Sequence, residues 1–160
     1  MTPRVSQKRE FSATGPKVAR QQNHAPVTVL RQIAAIPTRR SASGAIEVLL
    51  VTSRETQRWV IPKGWPMPGL SDRDAAIEEA WEEAGVQGTA SSKIIGTFTY
   101  DKRRQNDVVP VVVEVYLLVV TEIAEDWPEA AERQRAWYAP VDAARLVHEP
   151  ELQVLLAKVA

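Results

Sequence analysis

A chain of 160 residues, of which 44% are hydrophobic and 25% charged, is long enough for one globular domain with a sizeable core. Its formal net charge of zero excludes a global attraction to nucleic acids or anionic membranes, and the absence of cysteine excludes disulfides and Cys-ligated zinc. The N-terminus lacks the apolar core of a signal peptide, and no apolar run reaches the roughly 20 residues that span a bilayer. We therefore expect a soluble, cytoplasmic protein.

The first 25 residues are polar, with scattered Lys and Arg and no apolar periodicity. Such a segment buries too little apolar surface to offset the entropy lost on ordering, which predicts a flexible N-terminal arm over residues 1–25. An arm that binds RNA or a protein partner is the alternative to a simple solvated tail. The globular domain is predicted to occupy residues 26–160.

Two strands are predicted next, Val27–Ile36 and Ile46–Val51, because both segments are rich in β-branched and aliphatic residues. The polar, glycine-containing stretch Thr38–Gly44 predicts a loop between them. A short strand over Trp59–Ile61 is expected to end where Pro62-Lys63-Gly64 stops regular structure.

A helix is predicted to follow, with Ser71 as N-cap, Asp74 in a variant of the capping box, and Gly85 as the C-terminal stop after Ala84. Apolar residues recur on it at i, i+3, i+4 and i+7, which predicts a core-facing stripe. The stripe consists of Ile77, Ala80, Trp81 and Ala84.

Two more strands are predicted over Ile94–Tyr100 and Val109–Thr121. Short helices near Val141–Val147 and over Glu151–Val159, the second begun by Pro150, complete the chain. Strands with helices between and after them favour an α/β fold, with a mixed sheet flanked by helices.

Four glutamates, Glu78, Glu79, Glu82 and Glu83, are predicted to share the helix face opposite the apolar stripe. Like charges at i, i+3 and i, i+4 oppose a helix by a few tenths of a kcal/mol per pair. A divalent cation would reverse that penalty, because Mg²⁺ prefers oxygen ligands and shares them with substrate phosphates. On the carboxylate spacing alone, a solvated acidic face is the favoured interpretation.

The segment from Gly64 to Val86 resembles the Nudix box, which reads Gly, five residues, Glu, seven residues, Arg-Glu-hydrophobe-any-Glu-Glu-any-Gly-hydrophobe. The positions that match are Gly64, Glu79, Ala80, Glu82, Glu83, Gly85 and Val86. Outside the box, Leu49–Trp59, Glu125–Glu129 and Arg133–Tyr138 are similar to the diphosphoinositol and diadenosine polyphosphate phosphohydrolase branch. The likeness covers roughly residues 30 to 148 and implies the Nudix α/β/α sandwich, with a mixed sheet between helices.

The resemblance implies metal-dependent hydrolysis of a pyrophosphate bond in a polyphosphorylated small molecule, either a dinucleoside polyphosphate or a diphosphoinositol polyphosphate. Glu79, Glu82 and Glu83 are the implied catalytic residues. With the carbonyl of Gly64 they would hold Mg²⁺, or Mn²⁺ as the alternative ion. Glu79 and Glu83 would be the principal ligands, and Glu82 a ligand or a partner of one.

Substrate phosphates need cationic donors, and arginine is best suited because its guanidinium binds two oxygens at once. The candidates are Arg31, Arg54, Lys63, Arg133 and Arg135. The basic run Lys102-Arg103-Arg104 could extend the site or form a solvated turn. Three aromatic residues could stack on a base, although packing in the core is the favoured interpretation; they are Trp127, Trp137 and Tyr138. Glu114, in an apolar strand, is expected to face outward.

Two positions depart from the box. Leu70 stands where the family has its first Glu, and Glu78 where it has Arg. In the family these side chains support the metal-binding glutamates. Their loss keeps two alternatives open: a hydrolase of nucleoside diphosphate derivatives, and a ligand-sensing or binding domain with weakened catalysis.

Overall fold

The computed structural model describes residues 28–160, so the arm predicted over residues 1–25 lies outside the described part of the chain. Within residues 28–160, eight strands form one mixed sheet, and three α-helices pack on it. No helix in that range is long and apolar enough to cross a membrane.

The strands are β1 (Leu30–Arg40), β2 (Ile46–Thr52), β3 (Trp59–Val60), β4 (Lys63–Gly64), β5 (Val86–Ala90), β6 (Gly96–Arg103), β7 (Val108–Ile123) and β8 (Arg135–Tyr138). The helices are α1 (Asp72–Ala84), α2 (Pro140–Leu146) and α3 (Pro150–Ala157).

Strand β1 lies at the centre of the sheet and is buried from Gln32 to Thr38. One of its edges pairs in parallel with β7, and the other pairs antiparallel with β2 and with β4. Strand β7 extends beyond β1 and carries β6 on its first half and β5 on its second. A strand covered on both faces reads as a continuous apolar run, which is why the buried part of β1 is visible in the sequence.

Successive residues of β1 face opposite sides of the sheet, so each side has its own core. Ile33 and Ala35 pack on the side of α1, whereas Ala34 and Ile36 pack on the side of α2 and α3. The three layers confirm the predicted α/β/α sandwich with a mixed sheet.

Helix α1 confirms the predicted caps. The Ser71 hydroxyl accepts a hydrogen bond from the Asp74 amide, and Gly85 ends the helix in the left-handed conformation with φ 67°. The predicted stripe was only half right, because Ile77 and Trp81 are partly exposed while Ala75 and Ala76 are buried. Small alanines let the helix lie close to the sheet, and this orientation turns two of the glutamates inward.

Several strand predictions needed correction, because pairing partners are not visible in a local pattern. Thr38–Arg40 continue β1 and pair with the start of β2, so the connecting turn is shorter than Thr38–Gly44. Lys63–Gly64 do not stop regular structure but form β4 against β1. Strands β5 and β8, which are short, were missed. The two C-terminal helices are confirmed, each shifted by one or two residues.

Candidate active site

An open cleft of about 710 Å³ lies between α1, the strands β3, β4 and β6, and the segments 53–58 and 128–133. This volume is typical of small-molecule sites, which span roughly 300–1,000 Å³. Its charged lining side chains divide into an acidic set and a basic set. The acidic set is mainly Glu79, Glu82, Glu83 and Glu129, and the basic set is Arg54, Arg58, Lys63, Lys102, Arg103 and Arg133.

Glu79 is buried on α1, and its carboxylate lies against the backbone of Gly64. A Cβ at position 64 would overlap both carboxylate oxygens, so only glycine allows this approach. Burial, and then repulsion from Glu83 and Glu82, raises the pKa of Glu79 to about 8. A carboxylate in this position therefore keeps its negative charge near neutral pH only with a positive charge close by.

Glu83, one turn further along α1, is also buried and is held by two neighbours. One of its oxygens lies 3.2 Å from the Arg133 guanidinium, and the other accepts a hydrogen bond of 3.3 Å from the Lys63 amide. Burial raises the pKa of Glu83 to about 7, against the opposing effect of Arg133 and Lys63. Through these two contacts, the Glu83 carboxylate links α1 to β4 and to the segment 128–133.

Glu82 lies at the more open side of the acidic set, and Glu78 is its neighbour outside the cleft. Burial raises the pKa of Glu82, as do repulsion from Glu78 and a hydrogen bond between the two carboxyl groups. The spacing alone predicted that the four glutamates of α1 share one solvated face, and this prediction is wrong. Glu79 and Glu83 are buried, while Glu78 and Glu82 form a partly exposed pair.

Glu129 is a fourth carboxylate of the cleft that sequence reasoning did not single out as a site residue. It lies 3.4 Å from Arg133 and 3.4 Å from Arg54, and it contributes to the raised pKa of both Glu79 and Glu83. No local pattern marks it, because it reaches the cleft from a turn more than forty residues after α1.

The carboxylates of the acidic set form one wall of the cleft, here called the acidic wall, and their oxygens suit a hard divalent cation. Three of these carboxylates are close enough to Glu79 to raise its pKa by repulsion. Across residues 28–160, no three His, Cys, Asp or Glu side chains converge closely enough to hold a metal ion in this arrangement of the side chains. The assignment of Gly64, Glu79, Glu82 and Glu83 as metal ligands stays a prediction.

Three of the five predicted phosphate-binding residues line the cleft. Arg133 lies deepest, with 7% of its side chain exposed and a further hydrogen bond of 3.0 Å to the Thr52 carbonyl. Lys63 is partly buried beside the Tyr100 ring, and burial lowers its pKa. Arg54 is exposed at the rim.

The structure does not bring Arg31 or Arg135 into the cleft. Arg31 pairs with Asp72 at 2.7 Å and with Glu114 at 3.2 Å, so Glu114 faces outward as expected. Arg135 donates to the carbonyls of Ala84 and Ala124 and stacks on the Trp127 ring. Its cation therefore compensates the negative C-terminal end of α1.

Arg58 is a further cation of the cleft that the sequence reading did not propose as a site residue. It pairs at 2.7 Å with Glu149, a buried residue at the start of α3. Lys102 and Arg103 also line the cleft, whereas Arg104 pairs with Asp107 in the turn that follows. Two residues of the basic run therefore extend the cleft, and the third lies in the turn, so each of the two interpretations holds for part of the run.

The aromatic residues considered for base stacking pack within the fold, as the favoured interpretation held. Trp127 donates a hydrogen bond of 3.0 Å to the Glu83 carbonyl, Trp137 packs against Arg39, and Tyr138 contacts Trp59 edge to face. The exposed aromatic residue of the cleft is instead Trp65, which follows Gly64 directly.

Known proteins resemble this chain in sequence and in fold. The family description of the NUDIX domain matches residues 29–159. Diphosphoinositol polyphosphate phosphohydrolase 3-beta of Bos taurus is 38% identical over 109 residues, which cover 65% of this chain and 63% of the bovine protein. Diphosphoinositol polyphosphate phosphohydrolase 2 of Mus musculus is 37% identical over 109 residues, covering 65% of this chain and 57% of the mouse protein. The chain thus spans less than two thirds of these relatives.

Solved structures show the same architecture. The C. elegans Ap4A hydrolase is 25% identical, with a TM-score of 0.57, and the alignment covers 82% of this chain and 96% of that one. The E. coli dihydroneopterin triphosphate pyrophosphohydrolase is 15% identical, with a TM-score of 0.63 and coverage of 82% and 97%, and it supports the fold alone.

Proposed function

The chain belongs to the NUDIX domain family, and on that premise we propose that it hydrolyses a pyrophosphate bond in a polyphosphorylated small molecule. The observation that carries the proposal is the cleft itself, where the buried Glu79 and Glu83 lie close to several cations. A phosphate chain needs cationic donors for its oxygens and a carboxylate cluster at the bond that breaks.

Two substrate classes follow from the comparisons. The relatives at 37–38% identity are named diphosphoinositol polyphosphate phosphohydrolases, and the C. elegans structure is that of an Ap4A hydrolase. The proposed substrate is therefore a diphosphoinositol polyphosphate or a dinucleoside polyphosphate. Water would attack a phosphorus atom and break the P–O–P bridge.

The basic residues bind and orient the phosphate chain in this proposal. The Arg133 Nε is buried and meets no acceptor within residues 28–160, so a phosphate oxygen would satisfy it. Lys63 and Arg58 add positive charge beside β4. Arg54 at the rim and Lys102 on β6 would neutralise phosphates further from Glu79 and Glu83.

Glu79, Glu82 and Glu83, with the Gly64 carbonyl, would hold Mg²⁺ or Mn²⁺. When bound, such an ion neutralises charge on phosphoryl oxygens and lowers the pKa of water. Arg133 and the Lys63 amide keep the Glu83 carboxylate fixed on the cleft side of α1. One of the buried glutamates would accept the proton of the attacking water, and both Glu79 and Glu83 are candidates.

Phosphate release from a panel of diadenosine polyphosphates and diphosphoinositol polyphosphates, with and without Mg²⁺, tests the function. We expect turnover that depends on the metal and that Glu83→Gln lowers at least about 100-fold, the scale on which an acid–base group contributes. Glu122→Gln, on an exposed position of β7, is the matched control and should retain wild-type turnover.

Circular dichroism should show that both variants fold. Unchanged turnover in Glu83→Gln would mean that the acidic wall is not the catalytic site. Stabilisation of the wild type by these ligands without any hydrolysis would instead identify a binding domain.

A further inference from the structure

Trp65 is a residue of the cleft that the proposed reaction does not use. Its side chain is 44% exposed, although burying an indole stabilises most proteins. Among residues 28–160, the aromatic side chains that line the cleft are Trp65 and Tyr100. Tyr100 is half-buried, and its hydroxyl donates a hydrogen bond of 2.7 Å to Gln32. Trp65 therefore offers the more open ring surface.

The backbone around Trp65 is stiff. Pro66 follows it directly and restricts Trp65 to extended conformations, and Pro68 fixes a further backbone angle. The turn then closes with a hydrogen bond of 3.1 Å from the Leu70 amide to the Met67 carbonyl, with Gly69 at φ 81°. An exposed ring on such a backbone loses little conformational entropy when a ligand packs on it.

Positive charge lies close to this ring. The Lys102 ammonium lies over the ring, 5.7 Å from its centroid, and Lys63 lines the same cleft. Gly64 itself contacts the Glu79 carboxylate. A ligand whose flat apolar end rests on Trp65 would therefore extend its phosphates past cations toward the acidic wall.

We propose that Trp65 is a stacking platform for the base of a nucleotide, so that the cleft favours nucleoside polyphosphates over diphosphoinositol polyphosphates. The inference rests on the proposed function and narrows its substrate class. An indole and a purine stack face to face, and such contacts change affinity on the order of tenfold per base. A fully phosphorylated inositol ring presents charge in every direction and has no π face, so it gains nothing from this indole.

The kinetic test compares Trp65→Ala and Trp65→Phe on two substrates, diadenosine tetraphosphate and diphosphoinositol pentakisphosphate. We expect Trp65→Ala to raise KM for the dinucleotide about tenfold and to change KM for the inositol compound less than twofold. Trp65→Phe, which keeps an aromatic ring, should restore most of the lost affinity. Ile94→Ala, which removes an exposed apolar side chain outside the cleft, is the control and should change neither KM.

A binding measurement separates this inference from the proposed function, because it needs no turnover. Titration calorimetry with ADP and with inorganic pyrophosphate should show that Trp65→Ala weakens ADP binding about tenfold and leaves pyrophosphate binding unchanged. If the wild type hydrolysed neither substrate but showed this selective loss, the stacking site would stand and the hydrolase would not. Equal weakening of both ligands, or of neither, would overturn the stacking site.

Discussion

The carboxylates of the cleft form its acidic wall and the lysines and arginines form its basic wall, and the two walls are built in different ways. Three carboxylates of the acidic wall come from one helix, where a spacing of three or four residues fixes their relative positions. The cations come from separate places in the chain: the loop after β2, strand β4, strand β6 and the segment before β8. The acidic wall is a local structure, whereas the basic wall exists only once the sheet has formed.

Several contacts join the two walls, and two of them bear directly on the buried glutamates. Gly64 of β4 lets Glu79 approach the backbone, and Arg133 pairs with Glu83. A change at either contact should impair the site while leaving helix α1 intact, because the caps of α1 at Ser71 and Gly85 do not involve them.

Among changes at these two contacts, the largest effect is expected for Gly64→Ala, which breaks the first of them. The added Cβ would displace the Glu79 carboxylate, and a misplacement of about 1 Å in a catalytic group costs on the order of 100-fold in rate. We expect kcat/KM to fall by about that factor, measured under conditions where the variant is fully folded by circular dichroism.

Gly96→Ala is the matched control for that change. Its Cβ would meet the end of the flexible Leu155 side chain on α3, far from the acidic wall, and Gly96 has no positive φ. It should lower thermal stability more than activity. Wild-type activity in Gly64→Ala would show that the close approach of Glu79 to β4 is not needed for the reaction.

Arg133 and Arg135 allow a sharper comparison, because they are two residues apart and contact different structures. Arg133→Gln should lower kcat/KM about 30-fold, since it removes charge-assisted hydrogen bonds worth roughly 2 kcal/mol from the cleft. Arg135→Gln should leave kcat/KM within twofold of the wild type at low temperature. It should lower Tm by about 5 °C, because it removes the donors to the Ala84 and Ala124 carbonyls.

Paired measurements of kcat/KM and Tm on both variants check this division. An Arg135→Gln variant with intact stability and impaired catalysis would place that guanidinium in the substrate site after all. An Arg133→Gln variant with wild-type kinetics would limit Arg133 to a structural role.

The acidic wall could largely be predicted from the sequence, and the basic wall could not. Helix periodicity placed Glu79, Glu82 and Glu83 together, and cap residues defined both helix ends. It did not show that Glu79 and Glu83 are buried, because that depends on how closely the alanines pack against β1.

The cations could not be sorted by local sequence. Arg31 and Arg54 are both surface arginines near strand ends. Arg31 pairs with Asp72 and Glu114 outside the cleft, whereas Arg54 lines the cleft. Arg58 and Glu129 were missed because a single charged residue in a loop carries no pattern. Trp65 was missed because tryptophan more often packs within a fold than exposes its ring, and no local pattern distinguishes the two cases.

The smallest change in kcat/KM is expected for substitutions at the two positions that depart from the family pattern. These substitutions test whether the acidic wall includes Glu78. Repulsion from Glu78 raises the pKa of Glu82, while Leu70 is 45% exposed and belongs to neither core cluster. The double change Leu70→Glu and Glu78→Arg replaces a like charge beside Glu82 with an opposite one. A partly exposed pair is worth up to about 1 kcal/mol, so kcat/KM should rise by roughly two- to fivefold.

Glu78→Gln alone is the control, because it removes the repulsion without adding a cation. It should give a smaller rise than the double variant at the same Mg²⁺ concentration. A fall in kcat/KM in both variants, with unchanged Tm, would mean that Glu78 contributes its own negative charge to the reaction. The acidic wall would then extend beyond the cleft to the exposed side of α1, where helix spacing alone had placed all four glutamates.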